Sequence, residues 1–341
     1  MHIIYDNVIF SLQKAGGISI YWAELIKRIL KKENVTFYES KNENIFGNEL
    51  NIKTQKESCV SIRLLRYLPF MKKLSKKSIF HSSYYRVSLQ KDVINITTVY
   101  DFTYEYFRSG LARYIHIWQK GFAIKRSDGI ICISKNTKKD LMKFYPDITE
   151  SKIKVIYIGA GEEFKKLENQ NEYLINEFEV LKDKKYILYI GDRSSYKNFD
   201  IAVEVLKKLS EYSFVIVGGK DFSQHALNNM ERVKNRIFHF KNIDSNKLNI
   251  LYNNAFCLLY PSNYEGFGVP IVEAMNAGCP VVTTNKSSIP EVAGDAGLLV
   301  DEISVENFIS EIEKLENKEF RLKLIEKGLE QSKKFSWDKC F

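Results

Sequence analysis

No apolar run in this 341-residue sequence approaches the length of a membrane-spanning helix, which excludes that class of anchor. The five cysteines, Cys59, Cys132, Cys257, Cys279 and Cys340, form an odd set with no Cys-x-x-Cys spacing, and three lie in or beside apolar runs. That is the pattern of buried, reduced thiols in a cytosolic protein. No Gly-x-Gly-x-x-Gly follows any strand-like run, which argues against a nicotinamide-dependent oxidoreductase. No recognisable nucleic-acid-binding motif accompanies the basic charge, so no nucleic acid partner is expected. The opening Met1-His2-Ile3-Ile4-Tyr5-Asp6 reads as a first strand rather than a signal peptide. A cytoplasmic protein, peripheral at the inner membrane face, is the expectation.

What is present is divided unevenly. The net charge is +9, but residues 1–160 hold 27 Lys plus Arg against 14 acids, and residues 161–341 hold 24 against 28. A basic first half suits an acidic membrane surface or a phosphorylated acceptor. Within it, residues 61–77 combine apolar Ile62, Leu65, Leu68 and Leu74 with six Lys and Arg, a pattern that could lie on an anionic bilayer if helical. Pro69 interrupts that helical period.

Strand-length apolar runs at 2–5, 96–100, 129–133 and 153–158 alternate with amphipathic stretches at 17–31, 111–126 and 135–144. The alternation returns with strands at 186–190, 213–217, 237–240, 255–260 and 280–283, and helices at 199–210, 224–234, 245–253, 269–277 and 304–315. Two such series predict two doubly wound α/β domains, residues 1–165 and 184–341, joined by a polar linker over 166–183. In open parallel sheets ligands bind beyond the carboxyl ends of the strands, so two such domains would face a central cleft.

The loops at those strand ends carry the chemistry. Pro261 to Gly268 reads as a glycine-rich loop and Val269 to Ala277 as the helix that follows, which sets Glu265 in the loop and Glu273 two turns lower. One carboxylate could grip a sugar and the other a ribose, and the backbone N–H groups of Gly266, Phe267 and Gly268 would lie near a helix N-terminus that favours oxygen ligands. Glutamate in the first turns of a helix is also favoured by the helix dipole alone. After the strand 186–190 comes Gly191-Asp192-Arg193-Ser194-Ser195-Tyr196-Lys197-Asn198, whose two cations could neutralise a diphosphate. Gly16-Gly17 and Gly218-Gly219 mark two further turns, each unremarkable alone.

Together, Gly16-Gly17, Arg193/Lys197, Gly218-Gly219 and Glu265/Glu273 resemble the retaining glycosyltransferases of family 4, which have the GT-B fold of two Rossmann-like domains. The most specific parts are Tyr264-Glu265-Gly266-Phe267-Gly268-Val269-Pro270 with Glu273, Gly191-x-Arg193-x-x-Tyr196-Lys197-Asn198-Phe199, and Pro290-Glu291-Val292-Ala293-Gly294-Asp295-Ala296. The form Arg-x-x-Tyr-Lys-Asn-Phe looks most like mannosyltransferases and their relatives in bacterial surface-polysaccharide assembly, O-antigen and lipopolysaccharide included.

The resemblance implies a hexose-type sugar moved from a nucleotide-diphosphate donor to a lipid-linked or polysaccharide acceptor, with retention at the anomeric carbon, residues 1–165 being the acceptor domain and residues 184–341 the nucleotide-sugar donor domain. It implies that Gly17 lets the backbone approach the donor phosphates, that Arg193 and Lys197 bind the diphosphate, and that Glu265 and Glu273 hold sugar and ribose hydroxyls. Backbone around Asn242 and Ile243 would meet the nucleobase, with Asn242 standing where glycine is more usual. A guanosine donor is expected first and a uridine donor next. No Asp-x-Asp occurs, which fits a metal-independent reaction with no cofactor, the two cations taking the metal's role.

Two departures from the family pattern stand out. Tyr100-Asp101 replaces the His-Asp pair whose His contacts the donor sugar in many relatives, with His81 and His116 the remaining local imidazoles. The chain also stops at Ser336-Trp337-Asp338-Lys339-Cys340-Phe341, where relatives commonly continue into a helix docked on the N-terminal domain. Both departures motivate the alternative of a catalytically silent relative that binds a sugar nucleotide or serves as a scaffold.

Overall fold

The computed structural model describes residues 1–32, 34–58 and 60–341, so Cys59 lies outside the described residues. The chain forms two compact units, Met1–Ile158 with Trp337–Phe341, and Gly159–Ser336.

Unit 1 is built on strands β1 (Ile3–Asp6), β2 (Val35–Tyr38), β3 (Thr54–Gln55), β4 (Ile79–Ser82), β5 (Ile94–Val99), β6 (Gly129–Cys132) and β7 (Ile153–Val155). They pair in the order β3-β2-β1-β4-β5-β6-β7, all parallel. Strands β2, β3 and β4 escape the sequence patterning because they are short and partly polar. In β4, His81 and Ser82 are buried by pairing with neighbours: His81 Nε2 lies 2.9 Å from Thr98 Oγ1, and Ser82 Oγ donates to Asp6 at 2.8 Å. A polar strand can be central when each buried group finds a partner.

Helix Gly17–Ile29 packs its apolar stripe, Tyr21, Trp22, Leu25, Ile26 and Ile29, into this unit. The Trp22 indole donates to Asn7 Oδ1 at 2.8 Å, which satisfies the one polar atom that burial would otherwise strand. The last residues pack here too: helix Trp337–Cys340 buries Trp337 beside Tyr21, ring centroids 6.2 Å apart, and Asp338 accepts from Arg28 at 2.7 Å. Residues Trp337–Phe341 therefore belong to the first unit.

Unit 2 is built on β8 (Tyr186–Ile190), β9 (Ser213–Val217), β10 (Ile237–Phe240), β11 (Cys257–Tyr260), β12 (Val281–Thr284) and β13 (Gly297–Val300). Their order is β10-β9-β8-β11-β12-β13, again all parallel. β8, β9, β11 and β12 are almost continuously buried, as strands covered by helices on both faces must be. Helices Phe199–Lys208 and Val305–Lys314 pack Val203, Leu206, Phe308 and Ile312 into one core with Phe214 and Leu259. Truncating a fully buried Phe of this kind costs about 3–5 kcal/mol.

The stretch 166–183 is part of unit 2 rather than a connector. Helix Gln170–Glu177 buries Leu174, Leu181 is fully buried, and Asn253 Oδ1 accepts from the Leu167 N–H at 2.8 Å. Its few apolar residues fall at helical spacing among polar ones, so no strand-like run announces them.

The basic stretch 61–77 is not one amphipathic helix. Only Ile62–Leu65 is helical, and Leu65, Phe70 and Leu74 are buried within unit 1. Leu64, Leu68 and Met71 remain exposed beside its lysines and arginines. Among the described residues, no helix is long and apolar enough to cross a membrane. The four described cysteines are free and buried.

Candidate active site

The turns after β8, β9, β10 and β11 lie at the carboxyl ends of adjacent strands, and each contains backbone that only a few residue types tolerate. Gly191, Gly218, Gly219 and Gly268 have φ of 126°, 82°, 71° and 102°, in the left-handed region where a side chain is strained. Asn242 and Asn198 take φ of 54° and 50°. Asparagine is the non-glycine residue best suited to that region, which explains how Asn242 stands in for glycine.

Arg193 and Gly219 fit together closely. A Cβ on Gly219 would sit 2.7 Å from Arg193 Nη1, so the glycine makes room for the guanidinium. Arg193 Nη1 donates a long bond of 3.4 Å to the Gly218 carbonyl, and its guanidinium carbon lies 4.3 Å from the centre of the Phe222 ring. Burial pulls its pKa below the usual arginine range. Its Nη2 is buried and has no hydrogen-bond partner among the described residues. A buried, charged N–H without an acceptor is costly, so an anion placed there would be held strongly.

Lys197 and Glu265 form the second constellation. Lys197 Nζ lies 2.7 Å from Glu265 Oε1, with the side chains 13% and 15% exposed. Burial opposes the ammonium charge, but the adjoining Glu265 outweighs it and holds Lys197 well above its ordinary range. The buried Tyr260 lies beside the pair, with Lys197 Nζ 5.5 Å from the centre of its ring, and burial holds its hydroxyl well above the ordinary tyrosine range. Loop 261–268 is fixed from behind: Glu265 N–H donates to Ser287 Oγ at 2.9 Å, and Ser288 Oγ lies 2.8 Å and 2.9 Å from the carbonyls of Glu265 and Phe267. Asn198 Nδ2 donates to the Pro261 carbonyl at 2.7 Å, joining this loop to the one after β8.

Glu273 stands on helix Val269–Asn276, capped by Gly268 with Pro270 in its first turn. It accepts from the Tyr252 hydroxyl at 2.9 Å. Burial pushes its pKa up to about 7, opposed by the Tyr252 bond and reinforced by Glu163. It is therefore divided between neutral and ionised forms near neutrality.

The candidates in unit 1 are differently placed. Gly16 caps helix Gly17–Ile29, and a Cβ on Gly17 would meet nothing within 4 Å. Tyr100 is buried edge-on to Tyr21, and its hydroxyl donates to the Ser83 carbonyl at 3.2 Å. Asp101 Oδ1 accepts from the Thr103 N–H at 2.9 Å, and its carbonyl accepts from the buried Lys120 at 2.9 Å. His81 and His116 are buried and held neutral, each with its pKa lowered to about 3 by desolvation first of all.

A family model described as Glycosyltransferase Family 4 matches residues 15–163, and one described as Glycosyl transferases group 1 matches residues 171–331. The chain belongs to the family 4 glycosyltransferases. This family 4 chain is 35% identical to the O-antigen chain mannosyltransferase B of Escherichia coli over 46% of its own length, spanning 43% of that relative. It is 26% identical to the O-antigen chain mannosyltransferase RfbU of Salmonella typhimurium, covering 71% of this chain and 67% of that one. An uncharacterized glycosyltransferase of Methanocaldococcus jannaschii is 27% identical across 95% of this chain and 92% of its own. Among solved structures, Anabaena HepE in complex with UDP and glucose superposes with a TM-score of 0.77 at 14% identity, covering 100% and 97% of the two chains. WaaG, a glycosyltransferase involved in lipopolysaccharide biosynthesis, superposes with a TM-score of 0.71 at 16% identity, covering 97% and 95%. At such identities the likeness shows the fold, and the fold of this family 4 chain is the two-domain α/β GT-B architecture.

Reading the sequence alone misses the supports of this family 4 site. Ser287, itself at φ 49°, and Ser288 sit twenty residues beyond the loop they fasten. Tyr252 looks like an ordinary core aromatic until its hydroxyl is seen on Glu273, and Tyr260 until its ring is seen beside Lys197.

Proposed function

We propose that the protein transfers a hexose-type sugar, mannose or a close relative, from a nucleotide-diphosphate donor to a lipid-linked or polysaccharide acceptor. The observation that carries this is the buried, unpartnered Nη2 of Arg193, set beside Gly219 in a turn at the carboxyl end of the sheet. A diphosphate oxygen is the partner such a nitrogen lacks. Lys197 supplies the second positive charge, and with three N–H donors it can bond a phosphate while still holding Glu265. Glu265 in turn keeps an oxygen for sugar hydroxyls, and ionised Glu273 accepts from ribose hydroxyls.

Catalysis in this reading is positioning plus stabilisation of the leaving diphosphate. The acceptor hydroxyl attacks on the face from which the phosphate departs, so the anomeric configuration is retained and no protein nucleophile is needed. Arg193 and Lys197 neutralise the charge that grows on the leaving group, in place of a divalent metal. Tyr100 and Asp101 enter as positioning residues, since their polar atoms are engaged with Ser83, Thr103 and Lys120. The exposed Leu64, Leu68 and Met71, with the basic side chains around them, give the chain a peripheral contact with an anionic membrane. The mannosyltransferase names of the relatives favour a GDP-sugar, and the UDP bound to HepE makes a UDP-sugar the next candidate.

The test is thermal stabilisation by GDP, UDP, ADP and dTDP without added metal, with Glu273→Ala as control. A nucleotide at ~100 times its Kd should stabilise by about 2.7 kcal/mol. A selective shift abolished by Glu273→Ala is the expected result. A folded protein that responds to none of the four overturns the reading.

A further inference from the structure

A pocket of about 350 Å³ lies within unit 2, inside the range of roughly 300–1,000 Å³ usual for small-molecule sites. Lys185 immediately precedes β8 and Phe256 immediately precedes β11, which sets the pocket at the amino ends of these strands. That is the end of the sheet opposite the turns that hold Arg193 and Glu265. Helix Lys318–Ser332 supplies Lys318 and Arg321 from its beginning, and Asn254, the last residue of helix Ser245–Asn254, completes the lining.

Its charges are unevenly matched. Lys185, Lys318 and Arg321 line it against a single carboxylate, Glu316. Lys185 Nζ lies 2.6 Å from Glu316 Oε1, and the Tyr212 hydroxyl donates to the same oxygen. Lys318 is exposed and has no acidic partner among the described residues. Arg321 is half-buried and donates only from Nη2, in a 3.3 Å bond to the Ala255 carbonyl. Its Nε is buried and out of a ligand's reach, whereas Nη1 is neither buried nor bonded among the described residues. The Lys185 ammonium and the Arg321 guanidinium both lie against the buried Phe256 ring, 4.4 Å and 4.7 Å from its centre. The ring thus holds two like charges near each other without using their N–H groups, an arrangement that an anion between them relieves. Asn254 gives its amide N–H groups to the Gln170 and Ile250 carbonyls at 3.0 Å and 2.9 Å, and its Oδ1 keeps no partner among the described residues.

We infer that this pocket binds a phosphate monoester of a small sugar or polyol, at a site separate from the donor turns. Such an ester carries close to two negative charges at neutral pH, its second pKa being about 6. Three cations against one carboxylate leave two positive charges, so the ester matches the pocket where a carboxylate would match only half of it. The phosphate oxygens accept from Arg321 Nη1 and from the Lys185 N–H groups that Glu316 leaves open, with Lys318 adding its charge at the rim. A hydroxyl of the ester donates to Asn254 Oδ1. Bare phosphate would satisfy the cations but leave that acceptor and most of the volume unused. The assignment does not depend on the transferase reading.

The experiment titrates the full chain by calorimetry at constant ionic strength with ribose 5-phosphate, inorganic phosphate and ribose. The parent is compared with Arg321→Gln and Lys318→Gln, and with two controls. Lys323→Gln removes a charge from the same helix outside the pocket, and Arg193→Gln reports the donor turns. The expected result is one saturable site for ribose 5-phosphate, tighter than for inorganic phosphate and absent for ribose. Its affinity should fall about tenfold in Arg321→Gln and about threefold in Lys318→Gln, and stay unchanged in both controls. Should Arg321→Gln fail to fold, the exposed Lys318 position decides. No saturation, or equal weakening in Lys323→Gln, overturns the site as general attraction of charge. Inorganic phosphate that binds as tightly as the ester overturns the organic ligand. Loss in Arg193→Gln with binding kept in Arg321→Gln and Lys318→Gln places the phosphate at the donor turns, which overturns this site and supports the transferase reading.

Discussion

The two units repeat one strand order around their first and fourth strands, yet they hold particular cations in different ways. In unit 1 the buried Arg86 and Lys120 are closed on carboxylates. Arg86, 1% exposed, bonds Asp6 at 2.9 Å and Glu57 at 2.8 Å and gives its Nε–H to the Leu68 carbonyl. Lys120 is fully buried against Glu105 at 2.8 Å. In unit 2 the half-buried cations at the strand ends are left partly open, with Arg193 Nη2 lacking an acceptor and Lys197 meeting a single carboxylate. A closed network specifies packing, whereas an open one keeps binding capacity for a ligand.

Breaking a closed network should cost the most. Arg86→Met leaves Asp6 and Glu57 buried without their counter-charge, and the loss should be about 3–5 kcal/mol in urea denaturation. A cost below ~1 kcal/mol would show that the triad is not the element holding β1 to the loop after β4. Opening the other network should instead spare the fold and remove the chemistry. Lys197→Ala is expected to lower kcat by about 10²–10³ in a protein that still folds, at a smaller stability cost than Arg86→Met because the Lys197–Glu265 pair keeps some solvent contact. Single-turnover release of the nucleotide diphosphate measures it, and a loss under ~3-fold would remove Lys197 from the leaving-group site.

Gly219→Ala sharpens the comparison at the backbone. The substitution forces a side chain into φ 71° and crowds Arg193, so nucleotide-diphosphate affinity should fall about tenfold by calorimetry, with about 1–2 kcal/mol of stability lost. The smallest effect is the one set by pH. Glu273 has a folded pKa near 7, above its ordinary 4.5, so its contribution to stability is fully present below about pH 4.5 and is lost as pH rises to about 7. Nucleotide affinity should move the other way, rising up to about tenfold from pH 6 to 8 as the carboxylate ionises. Glu273→Gln should flatten both profiles, and parallel profiles in the two proteins would detach the titration from Glu273.

Much of this was legible before the structure. The strands β8, β9, β11 and β12 announce themselves because burial on both faces demands unbroken apolar runs, and the loop from Pro261 to Gly268 because its glycines interrupt that pattern beside a carboxylate. The same logic failed for β4, where His81 and Ser82 are polar yet buried, their hydrogen bonds supplied by Thr98 and Asp6, distant along the chain. It failed also for helix Gln170–Glu177, whose charged surface masks the single buried Leu174. Tyr100, which the family resemblance sets at the reaction, donates its hydroxyl to the Ser83 carbonyl, a contact that no pattern in the sequence announces.

The sequence by itself determined the two α/β series, the turns that require glycine or asparagine, and the identities of the cations and carboxylates, because these follow from local periodicity and from residue chemistry. Only the tertiary structure decided that Lys197 meets Glu265, that Ser287 and Ser288 brace the loop from behind, and that Arg193 and Arg321 keep unpartnered polar atoms. Those are relations between residues distant in the chain, and hydrogen bonding and desolvation act on distances in space rather than on spacing in sequence.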